Sequence, residues 1–395
     1  MKIPISKSVY TKEDMDSVLE PLKSGWVVQG PKVAEFESLW CEFTKAKFSI
    51  ATTSCTSALF LCLEALDLHQ DDEVIVPALS WVSTANIVEN VGCKLVFCDI
   101  ELSTFNLDTN DLQSKITDKT KAIIPVHLFG YPMDIDKIKS LITNNDIYII
   151  EDSACGFGSY INENHVGLAG AFGCFSFHPR KAISTGEGGM ITTDCEYFAN
   201  KIRSLRNHGM NAADPSDKNA NKPYALLDHD YAGYNFRMTD IQAALGSSQM
   251  KRANNILSSR QEVAKRYEEA FIDNELIGIP VSEKNHTHSF QSYACIYKPN
   301  EIRSALLSKD FHKLSSLSEE RNSFMENLAE EGIGTRPVTH AIHMLSYFKE
   351  KYNINSEDFP NAWAANACGF SLPIFPDLSE EDQRVVIEVV TKYLK

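Results

Sequence analysis

Glu73–Asp99 reads EVIVPALSWVSTANIVENVGCKLVFCD. EVIV (73–76) and KLVFCD (94–99) are short runs rich in β-branched and aliphatic residues, too short for helices and suited to buried strands. The segment between them, SWVSTANIVENVG, has helix length. The alternation continues with KAIIPV (121–126), the helix-like DIDKIKSLITNN and DIYIIED (146–152). Strands alternating with helices predict an α/β fold with a mostly parallel sheet covered on both faces. Ligands of such sheets bind beyond the carboxyl ends of the strands. The residues that follow the strands are Pro77 to Trp81, His127 and Asp152, so an aromatic ring, an imidazole and a carboxylate are expected at one edge. A carboxylate ending a buried strand needs a cation or hydrogen-bond donors. Capping of the next helix would also satisfy Asp152, and Trp81 could equally fill the core.

Downstream, 173–193 reads GCFSFHPRKAISTGEGGMITT: a strand, a polar loop, a glycine cluster and a second strand. Lys181 stands in that loop with no carboxylate within five residues on either side. Glycines allow close backbone approach, and a partly desolvated ammonium loses its proton more readily. A ligand loop and a plain hairpin carrying an ordinary lysine are equally open from these residues alone.

Upstream, YTKEDMDSVLEPLK (10–23) has helical spacing after a capping threonine. SGWVVQGP follows, with Trp26, and then an amphipathic helix from Val33. SIATTSCTSALFLCLEALDL reads as a strand and then a helix from about Ser57, placing Ser54, Cys55 and Thr56 at a helix N-terminus. Free N–H groups and the helix dipole favour an anion there, although Ser and Thr also serve as simple caps. Neither GxxxxGK[ST] nor GxGxxG follows a strand, so the P-loop and dinucleotide fingerprints are missing.

Beyond the glycine cluster come a basic amphipathic helix (196–210) and a polar, aperiodic loop (211–226). Asn235 and Arg237 directly precede another helix, and a long helix spans 255–272. A chain of 395 residues predicts two domains. The boundary is expected near 245–255, with a large domain 1–250 and a smaller α/β domain 251–395 built around SYACIYK (292–298). The net charge of −15 argues against nucleic-acid binding. No apolar run reaches the length of a membrane span, and the N-terminus lacks a signal-peptide core. Ten cysteines without a CxxC pair read as reduced thiols of a cytoplasmic protein. His286/His288 and His340/His343 lack a nearby third ligand, so no metal is expected.

Taken together, SGWVVQGPKVAEFE, TSCTSAL, VIVPALSWVSTAN, KTKAIIPVHLFGYPMD, EDSACGFGS, SFHPRKAISTGEGGMITT, GYNFRMTDIQAALG and FPNA with SLPIFP resemble, in order, the DegT/DnrJ/StrS family of pyridoxal-phosphate-dependent sugar aminotransferases. These are fold-type I aminotransferases. The resemblance implies a seven-stranded, mostly parallel sheet in the large domain. It implies that Lys181 forms the Schiff base with pyridoxal 5′-phosphate and that Asp152 pairs with the pyridinium nitrogen. Trp81 would stack on the ring, Ser176 and the amides of Cys55 and Thr56 would hold the phosphate, and Asn235 would reach the phosphate of the neighbouring subunit in a homodimer with shared sites. Two positions depart from the common pattern: Cys55 replaces a glycine, and Cys155 replaces a polar residue facing the ring oxygen. A histidine at the lysine position marks relatives that remove a sugar hydroxyl, so Lys181 favours transamination. The implied substrates are glutamate and a nucleotide-linked keto-6-deoxyhexose, aminated at position 4 ahead of position 3, for surface-glycan or O-antigen (lipopolysaccharide) assembly. Trp26, His127, Arg237 and the 211–226 loop are candidate substrate contacts. A dehydratase and a non-catalytic regulatory homologue are the alternatives.

Overall fold

The computed structural model describes residues 2–143, 146–211, 226–281 and 283–394. In chain order its first strands are β1 (Phe48–Thr52), β2 (Glu73–Pro77), β3 (Leu79–Ser80), β4 (Lys94–Cys98), β5 (Thr120–Ile123), β6 (Tyr148–Asp152), β7 (Tyr160–Ile161), β8 (Asn164–His165), β9 (Phe172–Ser176) and β10 (Gly189–Thr193). Seven of them form the main sheet, in the order β1-β10-β9-β6-β5-β2-β4. Neighbours from β9 through β4 pair in parallel, whereas β10 runs antiparallel to both β9 and β1. The sheet is thus mostly parallel, with one reversed strand.

Strand alternation explains why the sheet must be covered on both sides. Val74, Val76, Ile150, Phe172, Cys174 and Ile191 point into one core, packed with helix α3 (Cys55–Ala65, after α1 at Lys12–Ser24 and α2 at Pro31–Thr44) and with α4 (Ser83–Asn90). Their neighbours Ile75, Ile123 and Ile149 point into a second cluster on the other face. Ala51, Phe175 and Met190 join a third cluster with α2, centred on Trp40. The Trp40 ring is fully buried against Phe157, Phe175 and Phe177 at 5.0–5.1 Å between centroids. Trp40→Ala is therefore expected to cost about 3–5 kcal/mol, measured by urea unfolding. The buried indole N–H has no partner among the described residues, so Trp40→Phe should cost well under half as much, because it removes that unpaired donor.

The later strands are β11 (Ile277–Gly278), β12 (His286–Thr287), β13 (Tyr293–Tyr297), β14 (Arg336–Pro337), β15 (His340–Ala341) and β16 (Gly369–Leu372). A second sheet, β11-β13-β16-β14, comes entirely from the C-terminal third. Its core holds Tyr267, Tyr293, Phe370 and Val386, but also Ile3, which bridges to Ile333. The N-terminal arm therefore packs with the second core, not with the large sheet that follows it in sequence. The helix Ala253–Phe271 links the two: Ile256 and Leu257 sit in the Trp40 cluster, Val263 and Tyr267 in the second core. β15 pairs with β3, which brings His340 beside the carboxyl end of β2. No described helix is long and apolar enough to cross a membrane.

Candidate active site

Asp152 ends β6 in the middle of the sheet and is buried. Thr84, in the first turn of α4, donates from Oγ1 to Asp152 Oδ2 at 2.8 Å, and the Ala154 amide donates to Oδ1 at 3.1 Å. The backbone is pinned as well: His127 N donates to the Asp152 carbonyl at 3.0 Å. Burial raises the carboxyl above the ordinary aspartate value, and the Thr84 and Ala154 donors and the charge of Lys181 only partly offset it. Its hydrogen-bond donors are neutral. A buried carboxylate in this state attracts a cationic N–H.

Lys181 lies in the loop joining β9 to β10, where its amide donates to the His178 carbonyl at 2.8 Å. Its Nζ is 3.1 Å from Cys155 Sγ, and among the described residues it makes no ion pair. Lys181, Cys155 and Ser176 line one small cavity with Ser153, Phe175 and Gln291. An amine facing only a thiol, in a cavity next to the strand that ends in Asp152, is free for covalent work.

The helix start at 54–56 meets this loop from the other side. Ser54 caps α3, accepting from Ser57 N at 3.1 Å while Ser57 Oγ accepts from Ser54 N at 3.0 Å. A Cβ on Gly189 would lie 2.4 Å from the Ser54 carbonyl carbon and 2.7 Å from Cys55 N. A Cβ on Gly188 would strike Thr185 Oγ1 at 2.4 Å. These two glycines therefore make room for the helix start and the loop's own side chains. Their effect is to seat the first amides of α3 against β10. Cys55 is buried there and its thiol is pushed well up by burial, with the Asp152 charge adding to the shift and Lys181 opposing it. Thr56 is exposed, and Ser176 is half-buried with its Oγ 3.4 Å from His178 N.

The other predicted residues lie differently. Trp81 is 56% exposed, its ring 5.6 Å from that of His340. Asn235 is exposed and bridges to Asn207. Arg237 donates to Asn207 Oδ1 at 2.7 Å. Trp26 is 55% exposed, with its indole N–H 3.3 Å from the Gln29 carbonyl. Of the 211–226 loop, residues 212–225 lie outside the described residues. His127 does not present itself to a substrate. It is fully buried, Nε2 lies 2.8 Å from Glu151 Oε2, and Nδ1 accepts from Met133 N at 2.9 Å. Both ring nitrogens are thus committed, and the residue fixes the strand end that carries Asp152.

Glu151 and Thr84 were missed in the sequence. Glu151 also accepts from the amides of Gly167 (2.7 Å) and Gly170 (2.6 Å). Burial alone would raise its carboxyl, but His127 and the two amides bring it below the ordinary value. The signal was available: in a strand, adjacent residues face opposite ways, so Glu151 and Asp152 could not share a role.

The donor set fits pyridoxal phosphate: a carboxylate awaiting a cation, an amine without a counter-ion, and hydroxyl and amide donors at a helix N-terminus for an anion. Known proteins give the same picture. The family model described as the DegT/DnrJ/EryC1/StrS aminotransferase family matches residues 9–391. The spore coat polysaccharide biosynthesis protein SpsC of Bacillus subtilis is 34% identical over 393 residues, covering 100% of this chain and 97% of SpsC. The putative sugar aminotransferase Spr1654 from Streptococcus pneumoniae, in its PMP form, superposes with a TM-score of 0.90 at 28% identity, covering 99% of each chain. PseC of Helicobacter pylori, an aminotransferase of pseudoaminic acid biosynthesis, gives a TM-score of 0.87 at 27% identity, covering 100% of this chain and 99% of PseC.

Proposed function

The chain belongs to the DegT/DnrJ/EryC1/StrS aminotransferase family, and from that premise we propose that it transfers an amino group from glutamate to the keto carbon of a nucleotide-linked 6-deoxyhexose. It is a pyridoxal-phosphate-dependent sugar aminotransferase. Position 4 of the sugar is the preferred carbon and position 3 the second. The product would enter a surface glycan such as an O-antigen, and the enzyme would act in the cytoplasm as a homodimer. The names of SpsC and PseC support the glycan context, and the free, mostly buried cysteines support the compartment.

The bound cofactor supplies an electron sink for cleavage of the donor Cα–H bond. In our reading Asp152 holds the ring nitrogen protonated, and Thr84 and Ala154 orient that carboxylate from behind. Ser176 and the amides of Cys55 and Thr56 would take the phosphate, Trp81 would cover the ring, and Cys155 lies beside the Lys181 amine. Lys181 would hold the cofactor through Nζ, and its free amine would serve as general base, taking the proton from the donor Cα and returning one to the sugar carbon. Arg237 and Trp26 are the proposed sugar-side contacts, since a guanidinium fork can bond two diphosphate oxygens.

The reading rests on one arrangement: an amine that makes no ion pair among the described residues, in a cavity next to a buried carboxylate whose hydrogen-bond donors are neutral. A lysine at this point also separates it from the dehydratase alternative, which uses histidine. Incubating the holoenzyme with glutamate and a panel of nucleotide-linked 4-keto and 3-keto sugars, followed by mass spectrometry, tests it. Amino-sugar formation with a 4-keto substrate is expected. Loss of a hydroxyl without glutamate consumption would replace the reading with the dehydratase one.

The exposed position of Asn235 supports a contact across the dimer. Lys181→Ala and Asn235→Ala proteins mixed equally should yield heterodimers with one intact site. Activity should exceed the mean of the two parents and approach about a quarter of wild type. No gain on mixing would remove Asn235 from the shared site.

A further inference from the structure

A second, small cavity lies on the other flank of the Lys181 loop and shares only Lys181 and Ala182 with the first. Among the described residues its wall holds Lys7, Arg252 and Arg260 but no carboxylate. Arg260 is the decisive residue. It is 3% exposed; among the described residues its Nη1 donates to the carbonyls of Phe290 (3.2 Å) and Gln291 (3.3 Å), and its buried Nε has no partner. Among the described residues neither Arg260 nor Lys7 forms an ion pair, and burial pushes the guanidinium down to about 10. Arg252 is anchored by Nη2 to Asp14 Oδ2 at 2.5 Å and to the Val9 carbonyl at 2.8 Å, and among the described residues its buried Nε is unpartnered too. Asp14 thus offsets Arg252 but leaves Arg260 and Lys7 uncompensated. The frame is rigid: Gln249 clamps the loop through Ser184, accepting from its amide at 3.1 Å and donating to its carbonyl at 2.6 Å. Buried charges without counter-ions are strongly disfavoured, and guanidinium groups match the planar or tetrahedral oxygens of carboxylates and phosphates.

We propose that this cavity is a second anion-binding site, in which Arg260, Arg252 and Lys7 hold a small oxyanion of the phosphate or carboxylate class. An anion there would sit against the back of the loop that carries Lys181, apart from the cofactor cavity.

The test is calorimetric titration of the cofactor-saturated holoenzyme with inorganic phosphate and, separately, with glutarate, at ionic strength held constant with potassium chloride. Saturation with cofactor keeps its own phosphate site filled. At least one of the two probes is expected to bind, and which one does identifies the source of the oxyanion. Arg260→Gln should weaken binding by about 10-fold or more, the effect of losing a charge-assisted hydrogen bond. Lys7→Ala, at an exposed position that leaves the fold intact, should weaken it by about 3-fold or more. If Arg260→Gln does not fold, Arg260→Lys takes its place, with the same direction expected because lysine cannot offer the fork. Unchanged affinity in both the Lys7 and Arg260 variants, or no binding of either probe to wild type, would overturn the proposal.

Discussion

Lys181→Ala is expected to lower kcat by about 10³- to 10⁴-fold, the contribution of a covalently acting amine that also serves as proton carrier. Among the described residues that line its cavity there is no other amine. The cavity wall around it offers Cys155, Ser153 and Ser176, and the Nζ contact is to the Cys155 thiol. The variant should still fold, because Lys181 is only partly buried and makes no ion pair among the described residues, so its stability should change by less than about 1 kcal/mol. Borohydride reduction of the wild-type holoenzyme, followed by peptide mass spectrometry, should place a phosphopyridoxyl group on Lys181. The alanine variant should carry none. Turnover in Lys181→Ala above about a tenth of wild type would mean that another group performs the proton transfer.

Asp152→Asn is the second large effect. The side chain keeps its shape, so Thr84 and Ala154 retain a neighbour, but the negative charge is gone. Turnover should fall by about 10²- to 10⁴-fold, while cofactor binding, which also uses Lys181 and the phosphate donors, persists. Near-normal turnover would refute the role assigned to Asp152.

The same variant has an opposite effect on the cofactor-free fold. Burial raises the carboxyl of Asp152 in the folded state. The unfolded chain therefore gives up its proton first, and stability from this residue falls as pH rises from the ordinary aspartate value of about 4 to the raised folded value. Above that window the charged form remains a cost. Cofactor-free Asp152→Asn should accordingly be more stable than wild type near neutral pH, with the difference shrinking towards about pH 4. Adding cofactor should reverse the order, since only the aspartate has a charge to pair. Thermal unfolding of both proteins across pH, with and without pyridoxal phosphate, measures each part. An equal shift on cofactor addition in both would count against the pairing.

Much of the fold was written locally. EVIV, KLVFC and YIIED are apolar runs too short and too branched for helices, and the intervening segments have helical spacing, so β2, β4 and β6 and the helices between them follow from short-range preferences. The opening of α3 at Ser54–Thr56 was equally legible, because a serine cap needs only its own neighbours. Lys181 stood out through the residues around it.

Other features depend on partners far along the chain. Whether β10 would run with or against its neighbours is a choice of pairing, and its antiparallel insertion between β9 and β1 is what brings Gly189 against Ser54 and Cys55. His127 read as a ligand because it follows a strand. Glu151 and Met133 consume both its nitrogens, and neither contact has a local signature. The N-terminal arm joins the second core through Ile3 and Ile333, 330 positions apart. Arg260 gives no local signal within its long helix, and only the folding of that helix under the Lys181 loop leaves its guanidinium buried without an ion pair among the described residues. By itself, then, the sequence determined the elements, because propensity and patterning act over a few residues, and its resemblance to a family singled out Lys181 as the proposed reactive amine. Tertiary structure alone decided which buried charges are satisfied, because desolvation is set by whatever packs around a group, wherever in the chain it comes from.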